Sequence, residues 1–320
     1  MKPLSSLSAL TLALLLGMQT AGAQPADMLR DARNGDAAAQ TALGTVYVKG
    51  EVVEANPVEA AKWYRRAAEQ GYAQGQYNLG VMFDDGLGVE ENQTEAAQWF
   101  RRAGEQGHVG GQYNLGLMLA HGLGVPVNLA EAAQWFRRAA DQGFVLAQYN
   151  MGTMLFEGNG LEQNLPEAAK WFRLAAEQGD ADSQFNLGAM LADGNGIPQD
   201  LSEAVKWYRL AAAQGDVSAQ NNLGVAYENG RGVPRDLAQA VQWYQRAAAQ
   251  GLAEGQSNLG AMLSQGRGVA ADQEQAYFWL SLAAAEDATA RAAREQVARK
   301  LSAAQRQRLE AKAAAWSPQK

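Results

Sequence analysis

Seven tryptophans, Trp63, Trp99, Trp135, Trp171, Trp207, Trp243 and Trp279, fall at a constant step of 36 residues. The nine residues EAAQWFRRA recur verbatim at 95–103 and 131–139. A fixed period of this length is the mark of a repeat array, in which each unit packs against its neighbours and a continuous core runs through the stack. The chain has 320 residues, 47% of them hydrophobic, which is enough to bury such a core over seven units.

Aligned on the tryptophans, each unit reads as two helices. Seven positions before each Trp stands Asn56, Asn92, Asn128, Asn164, Asp200, Asp236 or Asp272, with Glu or Gln three residues later. That spacing resembles a capping box, in which the cap side chain accepts from an orphan N–H of the first turn. Pro57 suits the first helical position, where an N–H is not needed. Ala60, Trp63 and Ala67 then follow at helical spacing, and Gly71 and its counterparts to Gly251 supply the left-handed residue after the helix. Asp287 breaks that series, so the seventh unit is expected to end differently.

The helix before each cap carries Gly44, Gly80, Gly116, Gly152, Gly188, Gly224 and Gly260, again 36 apart. Glycine inside a helix costs roughly 1 kcal/mol against alanine, so its recurrence predicts a helix contact with no room for a side chain. This helix ends in Gly-x-Gly, as in Gly86-Leu87-Gly88, except in the first unit, where Val52 replaces the second glycine.

The stretch AQYNMGTMLFEGNGLEQNLPEAAKWFRLAAEQG, residues 147–179, resembles a Sel1-like repeat, a relative of the tetratricopeptide repeats with a longer turn between its helices. The resemblance covers residues 36–286, and QAYFWLSLAAAE near its end is similar to the close of many bacterial proteins of this kind. It implies an all-α, right-handed α/α superhelix, a solenoid of seven 36-residue helix pairs that binds other proteins. One branch of the family staples each repeat with a disulfide. No cysteine is present here, so nothing tied to that branch carries over.

The ends have other expected roles. Residues 1–23 combine Lys2, an apolar run from Leu7 to Met18 and the small residues Ala21-Gly22-Ala23, which reads as a secretory leader cleaved after Ala23. The run is shorter than the roughly 20 residues needed to span a bilayer. Residues 24–35 read as an N-terminal half-repeat cap. Residues 287–320 read as basic capping helices and tail, with eight Lys or Arg against two Glu over 288–320. Ser302 and Gln305 there form another capping-box pair. The mature protein is expected in the periplasm or outside the cell.

Little in the sequence points to chemistry. A helix precedes each Gly-x-Gly, and Asn or Asp opens the next, so the dinucleotide fingerprint is not met. His108 and His121 lie on different segments, without HExxH or cysteine, and read as solvated surface residues rather than metal ligands. The net charge of −7 does not suggest a nucleic-acid binder. No cofactor, metal or catalytic residue is expected.

A partner protein would meet the groove lined by the first helices. The position three before each repeat glycine holds Thr41, Tyr77, Tyr113, Tyr149, Phe185, Asn221 and Ser257, and the position one after it includes Val81 and Leu117. Both would face the groove in a tetratricopeptide-like geometry, with an aromatic ladder from Tyr77 to Phe185 as anchor. Packing between units is the competing reading. Asn78 and its counterparts to Asn258 read as structural hydrogen-bonders, or else as a grip on a peptide backbone. The acidic residues Asp84, Asp85, Glu157, Asp193 and Glu228 near the turns suggest a basic partner segment. The leading expectation is an exported, non-enzymatic interaction scaffold. A secreted host-facing virulence factor is the alternative, and a cell-wall enzyme stands behind both.

Overall fold

The computed structural model describes residues 25–318, which form seventeen α-helices and, among the described residues, no strand. Helix α1 is Pro25–Arg33. Seven pairs follow: α2 Ala37–Lys49 with α3 Pro57–Glu69, α4 Ala73–Asp85 with α5 Gln93–Glu105, α6 Val109–His121 with α7 Leu129–Asp141, and α8 Val145–Glu157 with α9 Leu165–Glu177. The series continues as α10 Ala181–Asp193 with α11 Leu201–Ala213, α12 Val217–Asn229 with α13 Leu237–Ala249, and α14 Ala253–Gln265 with α15 Gln273–Ala283. Helices α16 Ala288–Ala298 and α17 Ala303–Ala314 close the chain. The architecture is an all-α solenoid that divides into two compact units, one up to Trp171 and the other from Phe172, with the boundary inside α9. The segment read as a secretory leader, residues 1–23, lies outside the described residues.

The period has a steric cause. A Cβ on Gly116 would stand 2.7 Å from Phe136 Cε1, and one on Gly80 would stand 2.8 Å from the Phe100 ring. In the second unit Gly188 meets Tyr208 in the same way, at 2.8 Å. The ring after Trp99, Trp135 and Trp207 therefore lies on the first helix of its own pair, where glycine leaves room. Phe100 and Phe136 are fully buried there, each contributing on the order of 1.5–3 kcal/mol of burial.

The second glycine of each Gly-x-Gly has a different neighbour. A Cβ on Gly124 would run into the backbone of Gln93 and Thr94, and one on Gly160 into Leu129, at the start of the preceding pair's second helix. Val52, which takes the place of that second glycine in the first repeat, is 61% exposed.

Every second helix starts on its Asn or Asp. Asn92 Oδ1 accepts from Glu95 N at 3.0 Å, and Asp200 accepts from Glu203 N at 2.8 Å. The other half of the expected box is replaced. The cap N–H donates back to the first helix, Asn92 N to Phe83 O and Asn128 N to Leu119 O, each at 2.8 Å. A reciprocal box does close at Ser302 and Gln305.

At the N-terminal end, Ala32 of α1 is buried with Leu43 and Trp63, with Met28 and Leu29 packed alongside. At the C-terminal end Asp287 does not terminate a helix; it caps α16 by accepting from Thr289 N at 2.7 Å. Helices α16 and α17 lie on α15, burying Val297 and Leu309 against Tyr277, Phe278 and Leu280. Tyr277 donates to Glu310 at 2.6 Å, and Glu274 accepts from Gln305 and Arg308.

Candidate functional site

Most periodic polar residues are consumed inside the stack. Gln76 Nε2 donates to Ala68 O at the end of the preceding second helix, while Gln76 Oε1 accepts from Gln106 Nε2 at 2.7 Å. The buried amide thus links three helices, and Gln112 and Gln220 repeat the pattern. Glu131, freed from a reciprocal box, accepts from Arg101 at 2.7 Å; Glu167 accepts from Arg137 and Glu203 from Arg173. These arginine donors hold the three carboxyls below the usual carboxylate range. The second arginine of WFRR covers its own tryptophan, with Arg102 at 4.5 Å from Trp99 and Arg138 at 4.4 Å from Trp135. Sequence reasoning missed both ladders. Their signal was present: glutamines in two series of period 36, and arginines 30 residues ahead of glutamates.

The face of the first helices is uneven. In the first unit Tyr77 is buried, stacked on His108 at 4.4 Å and tilted against Phe100 at 5.8 Å. Burial pushes its hydroxyl up to about 12, partly offset by the Asn114 amide beside it. Tyr113 is buried edge-on to Phe144 at 4.9 Å, and Leu117 is buried as well. Tyr77 and Tyr113 are packed between helices rather than standing open on the groove, because the residue before the next pair's first helix, His108 or Phe144, closes over each ring. Tyr149 and Val81 remain half-exposed. In the second unit Phe185 is half-exposed, 6.0 Å from Tyr208.

The acidic residues differ among themselves. Asp85, Glu157 and Asp193 are exposed, and Asp84 is half-buried. Burial, with Asp85 and Glu91 adding repulsion, pushes Asp84 up to about 6. Glu228 is engaged internally, accepting from Tyr244 Oη at 2.7 Å and pairing with Arg267 at 2.9 Å. Asn78 has a structural role, accepting from Gln74 at 2.9 Å and meeting the Tyr64 hydroxyl.

His108 departs from the surface role expected of it. Its Nδ1 accepts from Gly111 N at 3.1 Å as the cap of α6, so Nε2 carries the proton and faces Gln74 Oε1 at 3.2 Å. Burial pushes it down to about 4. His121 is exposed at the end of α6.

Hollows open on this framework among the described residues. In the first unit, a pocket of about 360 Å³ lies among α1, α2 and α4, lined by Met28, Thr41, Ala42, Thr45, Val46, Val52, Tyr72, Gln74 and Asn78 among others. In the second unit a smaller one of about 140 Å³ is lined by Asp193, Tyr208, Asn222, Val225 and Arg231 among others.

Pairs of 13-residue helices with capped starts and glycine-seated rings define a class of helix-pair repeat solenoids. The Sel1 repeat model matches seven consecutive stretches, 37–72, 73–108, 109–144, 145–180, 181–216, 217–252 and 253–287, and the chain belongs to the Sel1 repeat family. The Sel1 repeat protein of Oxalobacter formigenes is similar at 36% identity over 84% of this chain and 78% of its own, with a TM-score of 0.64. A protective antigen of uropathogenic Escherichia coli with an SLR fold is similar at 29% identity over 90% of this chain and 78% of its own, with a TM-score of 0.54. No curated protein sequence matches the chain significantly. Among the described residues, no helix is long and apolar enough to cross a membrane.

Proposed function

We propose that the protein is an exported, non-enzymatic scaffold that holds a segment of another protein along the first-helix face of its repeats. The observation that carries this reading is the contrast between faces. Glutamine, arginine and glutamate ladders occupy the interfaces. On the first-helix face, by contrast, the pocket in the first unit is lined at Thr41 and Thr45, the two positions per repeat expected to meet a partner. Sel1 repeats are protein-interaction modules, which supports the same reading. The exposed Asp85, Glu157 and Asp193 favour a partner segment with basic residues.

The test is affinity capture from envelope and medium fractions, with the purified protein beside a Val81→Glu and a Thr45→Glu variant. Both positions are half-exposed, so these changes separate binding from folding better than truncating the buried Tyr77 or Tyr113. A partner held by the wild type in a salt-dependent manner and lost by variants of equal melting temperature supports the groove. Equal capture by all three overturns it. Catalysis is tested by turnover on cell-wall material; activity lost on changing a single polar pocket residue, with folding intact, would replace the scaffold reading.

Export rests on the leader-like residues 1–23, and a mature N-terminus at Gln24 in envelope material is the expected result. A host-facing role is the second reading. It is favoured by the similarity to the uropathogenic E. coli protein described as a protective antigen. Recovery from culture medium rather than periplasm separates the two.

A further inference from the structure

We propose that the pocket between the first two repeats receives an aromatic side chain of the partner segment. This deepens the groove reading and rests on it. Three junctions carry an aromatic residue just before the incoming first helix, Tyr72, His108 and Phe144, and one of the three lacks the ring that covers it. Between α4 and α6, Tyr77 stacks on His108 at 4.4 Å, with Asn114 beside its hydroxyl. Between α6 and α8, Tyr113 meets Phe144 at 4.9 Å. His108 and Phe144 hold the position just before their helices. Between α2 and α4 that position is Tyr72, so the aromatic platform is retained. The ring that should cover it is not: Thr41 stands where Tyr77 and Tyr113 stand, and Ala42 where Asn78 and Asn114 stand.

The consequence of those two small residues is the pocket of about 360 Å³, walled by Tyr72, Thr41, Ala42 and Asn78. Tyr72 is half-exposed, and Val52 at the lining is 61% exposed, so the hollow has an apolar approach from solvent. Its volume lies at the lower end of the range typical of ligand sites, roughly 300–1,000 Å³. That admits one ring and the chain carrying it. An aromatic ring prefers an offset or edge-on contact with another ring, which the equivalent sites show at 4.4 and 4.9 Å. The ligand class is therefore the one that the chain itself uses at those sites, an aromatic side chain such as tyrosine.

The probe is p-cresol, the side chain of tyrosine, followed by saturation-transfer NMR and titrated to millimolar concentration against the purified protein. Thr41→Tyr fills the pocket from inside, as Tyr77 does one repeat later. It is expected to weaken p-cresol binding at least fivefold while the melting temperature holds or rises. Tyr72→Ala removes the platform and is expected to weaken binding to a similar extent, whereas Tyr72→Phe retains it. The Tyr72 side chain makes no helix-cap hydrogen bond, so this pair keeps the test open if Thr41→Tyr does not fold. No saturable p-cresol binding, or binding unchanged in Thr41→Tyr and Tyr72→Ala, overturns the pocket. If p-cresol does not bind while partner capture stays sensitive to Val81→Glu, the pocket fails and the groove reading stands. If p-cresol binding is lost in Thr41→Tyr while capture ignores both Val81→Glu and Thr45→Glu, the pocket stands and the groove reading fails.

Discussion

Replacing Gly116 with alanine tests the steric origin of the repeat. The added Cβ would stand 2.7 Å from Phe136 Cε1, 2.8 Å from Cδ1 and 3.2 Å from Cζ. Carbon atoms rest at about 3.5–4.0 Å, so the ring must retreat by roughly 1 Å. It has nowhere open to go, because Phe136 is fully buried. Overpacking of this kind costs about 1–3 kcal/mol. Alanine returns about 1 kcal/mol of helix propensity over glycine. The net expectation is a loss of about 1 kcal/mol, so the single variant alone discriminates poorly. The double-mutant cycle with Phe136→Ala discriminates well; leucine would not serve, since a Cβ on Gly260 would stand 2.6 Å from Leu280 Cγ at the same place in the last repeat. With the ring gone the clash disappears and only the propensity gain remains, so Gly116→Ala should become stabilising in that background. The predicted coupling is the lost overpacking cost, about 1–3 kcal/mol, within the range seen for residues in contact. Urea unfolding followed by circular dichroism and by tryptophan fluorescence gives the four values, provided the two probes coincide. Additivity within about 0.3 kcal/mol would refute the claim that Phe136 is what keeps residue 116 a glycine.

Three further outcomes follow from the interfaces. The Glu167 carboxyl is held low by Arg137, so its contribution is present above its unfolded pKa and is lost as pH falls through the depressed folded value. Glu167→Gln should cost about 0.5–1 kcal/mol at pH 7, as a partly exposed pair does, and progressively less as pH falls through the depressed folded value; urea midpoints along a descending pH series check this. His108 is pushed down to about 4, so the stability of the wild type is full above an unfolded value near 6.5 and declines as pH falls toward about 4. His108→Asn keeps a good helix cap without the titration, and its melting temperature should show a shallower fall over the same range. Leu309→Ala should cost about 2–4 kcal/mol as a buried truncation. Hydrogen exchange should speed up in α15 to α17 and stay unchanged in α12, because stability in a repeat stack is passed only between neighbours.

The fold was legible because its signals are local. Trp, glycine and Asn or Asp each recur at a fixed place in a 36-residue unit, and each acts within its own pair or on the next. The site was less so, because exposure depends on what the neighbouring repeat supplies. Tyr77 and Tyr149 occupy the same place in the repeat, yet Tyr77 is sealed by His108 while Tyr149 stays half-open. The glutamates illustrate a second limit. Asn-x-x-Glu has the spacing of a capping box, but the cap N–H already has Phe83 O or Leu119 O as its acceptor. The carboxylates of Glu131, Glu167 and Glu203 pair instead with an arginine of the previous repeat. That pairing is visible only when positions 30 apart are compared, against a dominant period of 36. His108 read as solvated because a lone histidine carries no mark of the ring that will stack on it.

The offset of 30 also bears on how such a chain changes length. Arg101 binds Glu131 and Arg137 binds Glu167, so each ion pair belongs to a junction rather than to a repeat. Removing residues 109–144, one matched repeat, would delete Glu131 but bring Glu167 to the same distance from Arg101. Gln148 would likewise arrive where Gln112 had been. Loss or gain of 36 residues, or a multiple of it, therefore reseals the stack with its bonds intact, whereas a cut of any other size puts the partners that span it out of register. For this chain, whole-repeat duplication and deletion are the edits that the interfaces accept, and a shortened variant made on that rule should fold.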